Sequence, residues 1–383
     1  LRHRRSRRGL YLALAVVVVV VLIVAYVVLS GMLNPSSSGS PQTLNGAGAT
    51  FPAPLITVWT QEYANISGAP SFGTKVNYQA VGSGAGITNL QNKAVDFAAS
   101  DAPLQAKDRA NNPNLAVGAV LHIPETIGAV TFAYNLPGVS SGLNITGQIL
   151  VEIFLGHITK WNDANLTTLN PGLSLPNQAI NVVHRSDSSG TSFVWTSFLH
   201  ASNSTAWNKT LVGKSINWPT GVGKSGNAGV AGQIVNTPYS AGYVELAYVI
   251  QNSMTVAKVK NPTGAFVAPS LASTAAAASN AAPALPAGVG DWANVSILNA
   301  PGADSYPIAT FTYLLVYKEL STLGASETHA RAQALVNWLW WVVHDGQTYS
   351  SALAYVRLPS SVVTIDETSI NSLTFNGQAL AHS

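Results

Sequence analysis

Hydrophobic and polar positions change their spacing sharply along this chain. From Leu10 to Leu29 every residue is apolar or aromatic, twenty in succession. At 1.5 Å per residue this predicts a helix about 30 Å long, the hydrocarbon thickness of a bilayer. Residues Asn34–Pro41 (NPSSSGSP) are too polar and too rich in Ser, Pro and Gly to fold, and read as a tether. Beyond them the period alternates. Lys75–Val81 (KVNYQAV) shows the two-residue period of a half-buried strand, and Val95–Ser100, Ile127–Leu136, Ala179–Arg185 and Ala309–Tyr317 read as further strands. Helical patterns follow Pro52 and Gly190 and recur in Gln148–Phe154, Ala228–Val235 and Glu327–His344. In the last, Leu335, Trp338, Leu339 and Val342 form one apolar stripe. Strands alternating with helices predict an α/β fold with mainly parallel pairing. Ala268–Gly290, rich in Ala, Pro and Ser, reads as a surface excursion.

Charge changes the picture only at the N-terminus. The pI of about 9.0 suggests a nucleic-acid partner. However, five of the 19 Lys/Arg are Arg2, Arg4, Arg5, Arg7 and Arg8, and the remaining 14 face 16 Asp/Glu, so the folded part is slightly acidic. Nucleic acid is therefore excluded as a partner of that part. Arginines ahead of the apolar run hold the N-terminus in the cytoplasm and place the rest outside. The run exceeds the apolar region of a secretory signal, and Ser30-Gly31-Met32-Leu33 is a poor cleavage site, which favours a retained anchor over a long cleaved signal. Six Asn-x-Ser/Thr sequons (Asn65, Asn144, Asn165, Asn203, Asn208, Asn294) are glycan acceptors only if the chain meets a glycosylation system. The absence of cysteine excludes disulfides, thiolate metal sites and a cysteine nucleophile.

Four short segments carry candidate chemistry. In Asn45–Pro54 (NGAGATFPAP), Thr50 is placed to cap a helix opened by Pro52, leaving free N–H groups that attract an anion. Gly82–Gly86 (GSGAG) follows a strand directly, with Ser83 adding a hydroxyl. In Val95–Leu104 (VDFAASDAPL), Asp101 follows the strand, precedes a Pro-containing turn and by itself reads as a helix or turn cap. His184–Ser192 (HRSDSSGTS) is the most specific: Arg185 offers a guanidinium fork, Asp187 can orient it, and Ser189, Gly190 and Thr191 bring small donors. Gly221–Ser225 (GVGKS) imitates the end of a P-loop, but Trp218 stands where that motif needs Gly, and Asn217-Trp218-Pro219 is a poor strand.

Taken in order, LNGAGATFPAP, KVNYQAVGSGAG, VDFAASDAPL, LGHITKWND, LNPGLSLP, VVHRSDSSGTSFVWTSFL, GNAGVAG and AGYVELAYV resemble the phosphate-binding proteins of bacterial and archaeal phosphate ABC importers, from about Leu44 to the C-terminus. The resemblance implies a two-lobed α/β fold with the ligand between lobes. The parts would be a cytoplasmic tail at 1–9, an anchor or signal at 10–33, a tether at 34–43, one lobe at 44–127 with 306–383, and the other at 128–305. It implies a non-enzymatic protein with no cofactor or metal, whose partners are inorganic phosphate and the importer's permease subunits, held at the cell membrane or, if cleaved, secreted or periplasmic. Carried over by position, Thr50, Phe51, Ser83, Asp101, Arg185, Ser189, Gly190 and Thr191 would contact phosphate, with Asp187 orienting Arg185. His184 stands where the family often has a second Arg, and Ser188 where it often has Gly.

Phosphate near neutral pH keeps a proton that Asp101 can accept, whereas sulfate has none, so a buried carboxylate there disfavours sulfate. Alternative readings are a binder of another oxyanion (sulfate, molybdate, arsenate), a surface or signalling module on the same fold, and a phosphate-ester hydrolase with Ser189 or Thr191 as nucleophile and His184 as base. The last lacks a G-x-S-x-G motif.

Overall fold

The computed structural model describes residues 41–66, 73–110, 112–139, 142–281, 285–286 and 290–382. The expected basic tail, the apolar run and most of the tether lie outside the described residues. Among the described residues no helix is long and apolar enough to cross a membrane.

The chain opens with β1 (Thr43–Gly48), α1 (Ala53–Ala64), β2 (Lys75–Ala80), α2 (Ser83–Gln91), β3 (Phe97–Ser100) and the short α3 (Ala106–Arg109). β4 (Val120–Asn135) follows, sixteen residues long and buried except at its last residue. Next come β5 (Asn144–Ile145), α4 (Gly147–Leu155), α5 (Ala164–Leu169), β6 (Asn181–Arg185), α6 (Gly190–Ser202), β7 (Val222–Lys224), α7 (Gly226–Asn236), β8 (Ser240–Glu245) and α8 (Leu246–Gln251). Small strands β9 (Thr255–Val256), β10 (Lys258–Lys260) and β11 (Phe266–Val267) lead to α9 (Leu271–Ala281). β12 (Ala309–Tyr317), α10 (His329–Val343), α11 (Ser360–Asn371) and the hairpin of β13 (Thr374–Phe375) and β14 (Gln378–Ala379) complete it.

The main sheet runs β2-β1-β3-β12-β4-β8-β6-β7. Its two ends are parallel: β1 with β2 and β3, and β6 with β7 and β8. Its centre is not, which corrects the expectation of mainly parallel pairing. β12 lies antiparallel to β3 and β4, and β4 antiparallel to β8. The reason is connectivity. Within each half, strands are linked by crossover helices, which keep them parallel. The chain leaves the first half along β4 and returns to it along β12, so these two run against their neighbours. Up to Ala129, β4 pairs with β12; from Val130 it pairs with β8. One strand thus belongs to two α/β halves.

Each half has its own aromatic core. In the first, Tyr63, Trp338 and Trp341 pack together, and Leu335, Trp338, Leu339 and Val342 are all buried, as their helical spacing predicts. In the second, Trp195, Trp218, Phe154 and Tyr243 pack face to face or tilted. The Ala-rich stretch is more than an excursion: it contains α9, whose Ala277 and Ala278 are buried. Small side chains allow that helix to sit close against its neighbours.

Candidate functional site

All six parallel strands end at one place. The turns after β1, β2, β3, β6 and β7 are hydrogen-bonded to one another, while β8 passes directly into α8 at Leu246; such strand ends are the usual ligand position in open α/β sheets. Three helices, α2, α6 and α7, start there. Each presents N–H groups unused within its first turn.

The turn after β1 carries Thr50 and Phe51, 7% and 0% exposed. Thr50 does not cap the following helix, as the spacing predicted; Pro52 occupies the cap position without any side-chain bond. Thr50 Oγ1 instead accepts from Asn227 N and Asn227 Nδ2, each at 3.1 Å. The backbone carbonyls of the turn are held from below: Tyr248 Oη donates to Thr50 O (2.6 Å) and Tyr355 Oη to Phe51 O (2.7 Å).

After β2, Gly82 has φ +94°, which L side chains rarely adopt, and a Cβ there would meet Asp187 Oδ2 at 2.5 Å. This lets α2 begin at Ser83. Ser83 Oγ accepts from Gly190 N at 3.0 Å and from Asp101 N at 3.4 Å, joining three of the four predicted segments. Gly84 N donates to Ser188 O at 2.9 Å.

Asp101 is no helix cap. It is 2% exposed, and its Oδ2 accepts from Thr191 Oγ1 at 2.8 Å while Oδ1 has no hydrogen-bond partner. Burial pushes its pKa up to about 7; the Thr191 bond and the Arg185 charge offset only part of that.

Arg185, the last residue of β6, is 3% exposed. Its Nε donates to Asp187 Oδ1 (2.7 Å), a second nitrogen pairs with Asp187 Oδ2, and Nη1 reaches Thr191 Oγ1 (3.4 Å). Asp187 also accepts from Gly226 N (3.0 Å), and burial is outweighed by these bonds, so its pKa is lowered. The pair is thus held rigidly, with one side of the guanidinium committed to Asp187. α6 starts at Gly190, where Ser189 Oγ caps it by accepting from Ser192 N (3.1 Å). His184 points elsewhere: it stacks on Trp218 (4.9 Å), and its Nδ1 faces Arg185 O (3.0 Å). No hydrogen bond links it to Ser189 or Thr191 among the described contacts, so the serine–base arrangement of a hydrolase is not assembled.

Of the nine predicted residues, Ser83, Asp101, Arg185, Asp187, Gly190 and Thr191 form one hydrogen-bonded cluster, Thr50 joins it through Asn227, Ser189 caps the helix beside it, and Phe51 is bonded to Tyr355. Sequence reasoning missed others. Asn227 bridges Thr50, Thr191 (3.3 Å) and, through Oδ1, Glu245 N (3.1 Å). It lies just past the stretch set aside as a false P-loop: Val222–Lys224 is β7, and the helix that carries Asn227 starts at Gly226. Strand, glycine turn and helix together were the available signal. Also missed were Glu125 and Glu245, both fully buried. Glu125 sits where β4 bulges against Thr312 and Tyr313. Burial raises its pKa to about 8, Asp101 adding to the effect and Thr312 opposing it. Glu245 accepts from Ala247 N (2.8 Å) and Tyr355 Oη (3.2 Å). Among the described residues no group of three or more His, Cys, Asp or Glu is arranged to hold a metal. The cluster's chemistry is that of hydroxyls, N–H groups and one clamped guanidinium around a buried carboxyl, a set suited to a tetrahedral oxyanion that carries a proton.

A model of the PBP superfamily domain matches residues 34–345. A phosphate-binding protein PstS of Pasteurella multocida is 40% identical over 324 residues, covering 84% of this chain and 88% of its own. That of Methanocaldococcus jannaschii is 34% identical over 379 residues, covering 94% and 95%. Among solved structures, a high-affinity periplasmic phosphate-binding protein bound with phosphate matches with a TM-score of 0.64 at 20% identity, over 87% of this chain and 99% of that one. A phosphate-binding protein from Stenotrophomonas maltophilia matches with a TM-score of 0.62 at 21% identity, over 85% and 93%. At such identities the structures show a shared two-lobed fold.

Proposed function

This chain belongs to the PBP superfamily and, within it, to the phosphate-binding proteins, and from that premise we propose that it captures inorganic phosphate outside the cytoplasm and delivers it to an ABC importer. The observation that carries the reading is Asp101: a buried carboxyl with one unpaired oxygen, ringed by Ser83, Thr191 and Arg185. Thr50, Phe51, Ser83, Arg185, Ser189, Gly190 and Thr191 supply the donors, and Asp187 orients Arg185. Asp101 accepts a hydrogen bond from the proton that hydrogen phosphate retains. A fully ionised sulfate would set an unpaired negative oxygen against it in a desolvated cleft, so phosphate is preferred over sulfate. The protein binds and releases its ligand unchanged, since nothing in the cluster activates a water or a serine.

The two halves of the sheet act as lobes, 44–127 with 306–383 and 128–305, which close on the anion and exclude water, strengthening each bond. The apolar run within 10–33 serves as a single-pass anchor that keeps the binding lobes beside the permease.

Calorimetric titration with phosphate and then sulfate tests this. Phosphate should release heat and sulfate little; absence of any phosphate heat would falsify the reading, and equal binding of both would replace it with a general oxyanion binder.

A further inference from the structure

Among the described residues, two ion pairs join the two halves outside the oxyanion cluster: Arg109–Asp291, half-exposed at its carboxylate, and Asp108–Lys214, which is far more enclosed. Asp108 is on α3, in the connection that follows β3 of the first half. Lys214 is in the connection between α6 and β7 of the second. Their charged groups meet at 2.5 Å, with side chains 12% and 4% exposed. Neither end is loose. Asp108 Oδ2 also accepts from Gln105 N (2.8 Å), which fixes the carboxylate on its own helix. α3 is braced from behind: Arg109 Nη1 donates to Asp291 Oδ1 (2.9 Å), Gln105 Nε2 donates to Ala293 O (3.1 Å), and Trp292 between them is buried and stacks on His122 of β4. On the other side, the carbonyl of Lys214 accepts from Ser189 N (2.9 Å). Lys214 is therefore bonded through its backbone to the turn that carries Ser189, Gly190 and Thr191, while its side chain holds the opposite half.

A buried ammonium and a buried carboxylate stabilise a structure only when each has the other; removing one partner leaves an uncompensated charge out of water. Moving the halves apart would return both groups to solvent and forfeit the contact. The pair thus favours the closed arrangement without touching the ligand. We infer that Asp108 and Lys214 form a clasp across the cleft that holds the lobes closed and sets how long the bound anion stays, with Lys214 also acting as a positioning residue for the Ser189–Thr191 turn. This rests on the phosphate-binding reading.

The consequence is kinetic. Contacts made after encounter change release more than association. Release of radiolabelled inorganic phosphate into excess unlabelled phosphate would be followed by rapid filtration for the full-length protein and for Asp108→Asn, Lys214→Met and the double variant. Each single variant should release phosphate roughly tenfold faster, with association nearly unchanged. The phosphate-to-sulfate preference should also stay as it is. The double variant should be no faster than the singles, because the second substitution removes a charge that has already lost its partner. Lys214→Met keeps the backbone carbonyl, so the bond to Ser189 survives. If a single variant proves unstable on thermal melting, the double variant decides, since it removes both charges with little change of volume. Release at the wild-type rate in the double variant, or additive acceleration across the three, overturns the clasp. A wild-type protein that takes up no phosphate overturns the functional reading itself, and the clasp with it.

Discussion

At the scale of single residues, Asp101 is where the chemistry is decided. Its immediate neighbours in the chain are small or apolar (Ser100, Ala102, Pro103). What supports the ligand-facing role proposed for it is burial to 2% exposure beside Thr191 and Arg185, ninety and 84 positions later in the chain. Replacing it with Asn keeps the shape and turns one acceptor oxygen into a donor. Asp101→Asn is expected to bind phosphate more weakly and sulfate more tightly, by about tenfold or more for sulfate, the equivalent of one repaired buried hydrogen bond. Competition calorimetry reads this directly, and an unchanged phosphate-to-sulfate ratio would refute the role given to this carboxyl.

At the scale of elements, function depends on how closely helix N-termini approach. Gly190 opens α6 in ordinary helical geometry, where Ala is the better helix former. Yet a Cβ at Gly190 would lie 2.6 Å from Ser83 Oγ and 2.7 Å from both Cβ and N of Asp101. All three atoms belong to the first half, whereas α6 belongs to the second. Gly190→Ala should therefore leave α6 intact and hold α2 and β3 away from it. Overpacking of this kind costs about 1–3 kcal/mol. A 10- to 100-fold loss of phosphate affinity is expected from that cost by roughly 1.4 kcal/mol per decade, with a melting temperature within a few degrees of wild type. Undiminished affinity would mean that the two helix starts need not close to this distance for binding.

At the scale of the whole molecule, several carboxyls are buried along the junction of the halves. Burial is the first cause of the rise at Asp101 (to about 7), Glu125 (to about 8) and Glu245. A carboxyl whose pKa is raised by folding binds its proton more tightly in the folded than in the unfolded chain. Its stabilising contribution is complete below about pH 4 and is lost as pH rises toward 7 or 8, by up to about 1.4 kcal/mol per pH unit for each group. Asp187 and Glu319, both lowered, act in the opposite sense and lose their contribution only as the solution becomes strongly acidic. The ligand-free protein should thus unfold in less urea at pH 8 than at pH 5. Glu125→Gln, which has nothing to ionise, should narrow that difference, chiefly by raising stability at pH 8. Identical pH slopes for the variant and the parent would remove Glu125 from this account.

Sequence alone determined what is local. Five strands and five helices announced themselves by period, because burial of one face acts on neighbours two or four residues apart. The Arg185–Asp187 pair and the small donors beside it were legible for the same reason: the charges are two positions apart, and Ser189 caps its own helix. Tertiary structure decided everything that depends on distant partners. Thr50 looked like a helix cap and instead receives bonds from Asn227, 177 positions away. Glu125 and Glu245 carry no local mark, since an acid inside a strand becomes informative only when its neighbours exclude water. The antiparallel centre of the sheet was hidden because a strand's direction is set by how the chain crosses between halves, and periodicity is the same in either direction. The gathering of strand ends at one hydrogen-bonded cluster is likewise a product of that crossing: local patterns and the family resemblance picked out candidate residues, and the passage of β4 through both halves brought them together.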